Sequence, residues 1–127
     1  MDLVCSRRCF VLASPVVPKP HLWVVLTDPE GDPPEVVAVM IRSAKSYTDA
    51  TVVLQAGDHP FIDRPSAVDF GMAQPWKVSR LLGASAAKYC GIQPDISPEI
   101  LVKIRAGLLA SSHTSDWLKA HCTGRFT

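Results

Sequence analysis

Residues 21–41 read HLWVVLTDPEGDPPEVVAVMI. Leu22–Thr27 and Glu35–Ile41 are both rich in β-branched and other large apolar residues, the composition of buried strands. Between them, Asp28–Pro34 holds Gly31, Pro29, Pro33 and Pro34, which is turn chemistry. Two strands joined by so short a Gly/Pro link are expected to pair antiparallel. Both are too apolar to stand exposed, so something must cover them.

Downstream, Thr51–Gln55 (TVVLQ) is a third strand by its Thr and Val content. Ser66–Phe70 (SAVDF) is a fourth. Part of Gln74–Val78 is a fifth, where Pro75 suits a sheet edge better than a centre. The period then changes, and Ser79–Leu82 fits one helical turn. Ser97-Pro98-Glu99 is a helix start, with a capping hydroxyl, proline at the first position and an acid near the positive helix end. Ile100, Leu101, Ile104 and Leu108 recur at helical spacing, so the helix is expected over 98–110, with Gly107 weakening its last turn. Ser115–Lys119 adds a final short turn or helix. The expected fold is mainly β: a small curled antiparallel sheet of the SH3-like barrel kind, with a C-terminal helix across its open side (α+β).

At 127 residues the chain is expected to form one domain, too short for a complete βαβ dehydrogenase or a propeller. It is 47% apolar and 20% charged, which excludes a disordered chain. Thirteen Lys and Arg against twelve Asp and Glu exclude a nucleic-acid binder held mainly by bulk charge. Residues 1–17 read as a loose or edge-packing arm, 18–112 as the domain and 113–127 as a polar tail. Arg7-Arg8 followed by CFVLA has the basic-then-apolar order of a signal peptide, but the run is short and Pro15 interrupts it. No stretch approaches 18 apolar residues, so no membrane span is expected. Cys5, Cys9, Cys90 and Cys122 form no CxxC pair, and the histidines lack zinc-finger spacing. The expected compartment is the reducing cytoplasm.

Phosphate-loop, dinucleotide, HExxH and GxSxG motifs are all missing from the sequence, and no metal or other cofactor is expected. The most distinctive segment is Gly57–Ser66 (GDHPFIDRPS), which crowds Asp, His, Arg and Ser into a proline-bounded loop. One reading of it is structural: Asp58 caps a turn, Phe61 plugs the core and His59 is an ordinary loop residue. The other sets His59 or Arg64, with Ser66, beside a phosphate or a partner. His21 lies at the mouth of the first strand, where an imidazole can act as acid or base. If the first two strands pair through their hairpin, His21 meets Arg42 and Ser43, and imidazole, guanidinium and hydroxyl share one sheet edge. Lys45, Lys77 and Arg80 are candidates for a phosphate-facing surface. Trp76 beside Lys77 suits an interface or base stacking, or else, like Trp23 and Trp117, a core anchor. His113 and His121 carry no assigned role.

In order and texture the chain resembles the small toxin nucleases of the MazF/PemK class from about Pro20 to Leu109. HLWVVLTDP, VVAVMIRS and TVVLQAGD are similar to that family's first apolar strand, its next strand ending in a small hydroxyl residue, and its third strand and turn. PSAVDF followed by KVSRLLG resembles its serine-bearing strand and Arg-Leu step, and ISPEILVKIRAGLLA its covering helix. The resemblance implies a curled SH3-like barrel, a homodimer, metal-free cleavage of single-stranded RNA and neutralisation by an antitoxin protein on the RNA site. It implies that Ser43 stands at the family's catalytic hydroxyl. The family's catalytic arginine falls near Lys19, Pro20 or His21, so His21 would have to replace it.

Two functions follow as expectations. The first is an endoribonuclease with His21, Ser43 and His59 as catalytic residues and Arg42, Arg64, Ser66, Trp76 and Lys77 on the substrate. The alternative is a non-catalytic binding or regulatory protein of the same fold that engages a protein partner. Convergence of His21, Ser43 and an arginine on one phosphate-sized site favours the enzyme.

Overall fold

The alternation of side chains along the two central strands sets the layering. In a computed structural model, which describes residues 5–14, 17–86 and 90–126, the strands are β1 (Cys9–Ser14), β2 (Val17–Val25), β3 (Glu35–Ser43), β4 (Val53–Leu54), β5 (Ser66–Lys77) and β6 (Cys90–Gln93). The helices are α1 (Val78–Ala86), α2 (Pro98–Ala110) and α3 (Asp116–Cys122). One antiparallel sheet runs β4-β5-β3-β2-β1-β6 and curls into a half-barrel. The mainly β fold with a C-terminal helix is therefore the fold observed.

The hairpin of residues 21–41 pairs antiparallel, Leu22 against Ile41 and Val25 against Ala38. The Thr27 hydroxyl accepts from the Val37 amide at 2.9 Å and closes the turn end of the ladder. Leu22, Val24 and Leu26 of the first run and Val37, Val39 and Ile41 of the second point to one face. Trp23, Val25, Val36, Ala38 and Met40 point to the other. Both faces are dry, which is why the runs are continuously apolar. On the first face lie Ile100, Leu101, Ile104 and Leu108 of α2 with Leu118 and Cys122 of α3. Leu81 of α1 sits on the second, with Val78 and Trp76 beside it. Because the chain's own helices cover both faces, burial alone gives no reason for a second copy.

The α2 start is as expected: Ser97 accepts from the Ile100 amide at 3.3 Å, with Pro98 inside the first turn. Arg105 fixes the helix to the sheet through two hydrogen bonds to the Leu26 carbonyl, at 2.9 and 2.7 Å.

Five readings change. Residues 9–14 are not an arm: β1 lies inside the sheet between β2 and β6. The short helix expected from Ser115 is present as α3, but the tail is not merely polar, because α3 buries Leu118 and Cys122. The fourth and fifth strands are one strand, β5, with a register irregularity opposite Ala38–Met40. The expected third strand shrinks to Val53–Leu54. Trp117 is exposed rather than a core anchor, and stacks on His121.

Gly107 is a packing residue. A Cβ there would lie 2.5 Å from Val52 Cγ2 and 2.8 Å from Phe70 Cζ. Phe70 is fully buried and has no room to retreat. Gly107→Ala gains about 1 kcal/mol of helix propensity but overpacks a full core, which costs about 1–3 kcal/mol. We expect net destabilisation, read as a lower urea midpoint. A higher midpoint would mean that the glycine is not holding the helix close.

Candidate functional site

β2, β3 and β5 reach the same end of the sheet. Leu22 pairs with Ile41, and Ser43 pairs with Ser66. This register brings His21, Arg42 and Ser43 to one edge, and the segment Phe61–Arg64 closes over it. The result is a cleft of about 160 Å³ lined by His21, Arg42, Ser43, Arg64 and Ser66, with Phe61, Ile62 and Asp63 from the loop. Five of the eight residues expected in the site thus share one cavity, although they come from three strands and a loop.

Their side chains are not equally available. Among the described residues the His21 imidazole and the Ser43 hydroxyl have no hydrogen-bond partner. Arg42 Nη1 reaches Asp69 Oδ2 on β5 at 3.2 Å. Arg64 Nε donates to Asp63 Oδ1 at 3.0 Å, and that hydrogen bond and charge hold Asp63 below the usual carboxylate range. Both Arg64 and Asp63 are exposed. Ser66 is buried, and its hydroxyl donates to the Arg64 carbonyl at 2.9 Å. It positions the loop instead of facing a substrate.

His59 does not join the cleft. It is buried, with Nε2 2.6 Å from the Pro94 carbonyl and Nδ1 accepting from the Phe61 amide at 3.0 Å. A carbonyl can only accept, so Nε2 carries the proton and donates, and the two contacts fix one tautomer. Its task is to fasten the 57–62 loop to the segment after β6. The structural reading of this loop is right for Asp58, whose carboxylate accepts from the Gln55 amide at 2.9 Å. Phe61 does not plug the core; it is 43% exposed at the cleft, and Ile62 is the buried residue.

Trp76 and Lys77 lie elsewhere. Trp76 pairs with Val36, seven residues along β3 from Ser43, or about 23 Å at strand rise. Its ring meets Trp23 edge-on at 5.3 Å, and the Arg80 guanidinium stands 5.5 Å from its centre. This is a separate surface on the α1 side of the sheet.

Nothing in the sequence singles out Asp49. It is buried beside the strand-end cleft and accepts from the hydroxyls of Ser111 and Thr51, each at 2.6 Å. Burial pushes its pKa up, but the hydrogen bonds from Ser111 and Thr51 outweigh burial and hold it below 3.8. A carboxyl depressed on folding stabilises the protein above its unfolded pKa and loses that contribution as pH falls through the folded value. Ser111→Ala should therefore destabilise the protein at pH 7, and the gap to wild type should narrow below about pH 4. Urea midpoints at pH 7 and pH 3 test this; an equal gap at both would contradict it.

No family model, no curated protein and no solved structure matches the chain. Among the described residues no helix is long and apolar enough to cross a membrane. The chemistry of the cleft itself must therefore carry the functional reading.

Proposed function

We propose that the strand-end cleft binds a phosphodiester and that the protein is a metal-independent endoribonuclease acting on single-stranded RNA. The supporting observation is the convergence of His21 and Ser43, whose side chains have no hydrogen-bond partner among the described residues, with Arg42 and Arg64 in one small cavity. Imidazole exchanges protons near neutral pH. Guanidinium binds phosphate oxygens through a planar fork of donors, and a hydroxyl can donate one more hydrogen bond.

In this scheme His21 takes the proton of the ribose 2′-hydroxyl. The 2′-oxygen bonds to phosphorus as the bond from phosphorus to the 5′-oxygen breaks, and the departing oxygen takes a proton from water. A 2′,3′-cyclic phosphate and a 5′-hydroxyl are left. Arg42 and Arg64 bind the non-bridging oxygens, and Ser43 donates to one of them. Asp69 and Asp63 hold the two arginines in place before substrate arrives. The resemblance extends this reading to the cytoplasm, to an antitoxin protein over the cleft and to a homodimer. Burial pushes the thiols of Cys9 and Cys122 up to about 12 and about 11, which keeps them unreactive and outside this chemistry.

The test is cleavage of a mixed-sequence single-stranded RNA by purified protein in EDTA, with the product ends analysed. Cyclic phosphate and 5′-hydroxyl ends are expected. No cleavage by folded protein free of any bound partner would favour the second reading, a non-catalytic module that binds a protein at this cleft. One observation favours that reading: each arginine is already held by a carboxylate, which lowers its free charge for phosphate.

A further inference from the structure

Arg42 also lines a second cleft, of about 190 Å³. Tyr47, Asp49, Asp69 and His113 stand around this cavity. Two carboxylates, Asp49 and Asp69, and the Tyr47 ring give it a more acidic lining than the first. Tyr47 is 74% exposed, although an aromatic ring of that size is normally tucked against the protein. Asp69 uses Oδ2 for Arg42, and its Oδ1 has no hydrogen-bond partner among the described residues. Asp49 is spent on Ser111 and Thr51, so Asp69 is the acceptor this cavity can offer.

We propose that this second cleft takes the nucleobase next to the bound phosphate and selects guanine. The inference rests on the phosphodiester reading of the first cleft and extends it from the backbone to the base. One arginine shared by both cavities fixes the spacing, because a base and its own phosphate are neighbours in the chain. Tyr47 supplies a stacking face, which every base can use. Asp69 supplies discrimination. An ionised carboxylate only accepts hydrogen bonds. Guanine offers adjacent N1–H and N2–H donors to it. Adenine and cytosine offer an amino group beside a ring acceptor. Uracil offers one N–H between two carbonyls that the carboxylate repels. The expected order is guanine, then adenine or cytosine, then uracil. Stacking and a carboxylate also explain how a chain of net charge +1 could recognise RNA without a broad basic surface.

Four 2′-O-methyl hexanucleotides, uridine at five positions and G, A, C or U at the third, make the test. The methyl group blocks the 2′-oxygen, so binding is read without cleavage, by fluorescence anisotropy. Wild type should bind the guanine oligomer about tenfold more tightly than the all-uridine one, the discrimination expected of a good base contact. Asp69→Asn should bring the four within about twofold of one another. That variant also removes the Arg42 ion pair, so Tyr47→Ala, at an exposed position, is the second variant. It should weaken all four by about tenfold, as loss of one stacking partner does. Equal wild-type affinity for all four, lowered together by Arg64→Ala, would overturn the base proposal and leave the phosphodiester reading standing. No measurable binding of any oligomer would overturn both.

Discussion

His21→Ala is expected to lower RNA cleavage by about 10²–10⁴-fold, the usual contribution of a positioned acid or base, with little change in the urea midpoint. The imidazole makes no hydrogen bond that folding depends on among the described residues, so its removal leaves no buried group unpaired. Ser43→Ala should cost about 10²-fold if its hydroxyl stabilises charge on the phosphate, through kcat and with the pH dependence kept. His21→Ala should instead alter the pH profile, because it removes the group that moves the proton. Full activity in both variants would remove the cleft from the chemistry.

His59→Ala is expected to destabilise the protein by about 2–4 kcal/mol, since it strands the Pro94 carbonyl and the Phe61 amide together. The residual activity of the folded fraction should retain the wild-type pH profile, because this ring donates and accepts within the scaffold and faces no substrate. Urea denaturation gives the first quantity and a pH–rate series the second. A variant as stable as wild type but with an altered profile would return His59 to the catalytic set. The two histidines therefore separate cleanly: one should govern rate and the other stability.

Much of the fold is legible before any coordinates. The apolar runs of residues 22–27 and 35–41 lie in the core, as their composition demands, and the hairpin register carries His21 to Arg42 and Ser43. Ser97 and Pro98 mark the start of α2 without ambiguity. β1 escapes because CFVLAS follows two arginines and precedes prolines, so its local pattern fits a leader as well as a strand. Only its neighbours β2 and β6 give it a place in the sheet. The short helix expected from Ser115 is α3, but its packing is not legible, because it buries few side chains, Leu118 and Cys122, while its tryptophan faces outward. Gly107 looks like a weak point in a helix until Phe70 is seen against it.

The same division applies to the site. Residues at paired strand ends are brought together by register, which sequence can suggest. His59 lies in a loop beside Arg64, and nothing local distinguishes a catalytic histidine from a buried one. Its partner, Pro94, is 35 residues away. Ser66 is similar: a hydroxyl near the cleft that turns back to the Arg64 carbonyl. Nothing local singles out Asp69 or Asp49, and only their neighbours, Arg42 in one case and Ser111 in the other, reveal their roles.

If the protein is an RNA-cleaving enzyme, the cleft between the ends of β2, β3 and β5 holds an RNA phosphate. Titrating ¹⁵N-labelled protein with a 2′-O-methyl hexanucleotide of the kind described above, and following amide and imidazole resonances, tests it most directly. Saturable shifts concentrated at His21, Arg42, Ser43 and residues 61–66 are expected. Shifts confined to Trp76, Lys77 and Arg80, or no saturable shift at all, would contradict it.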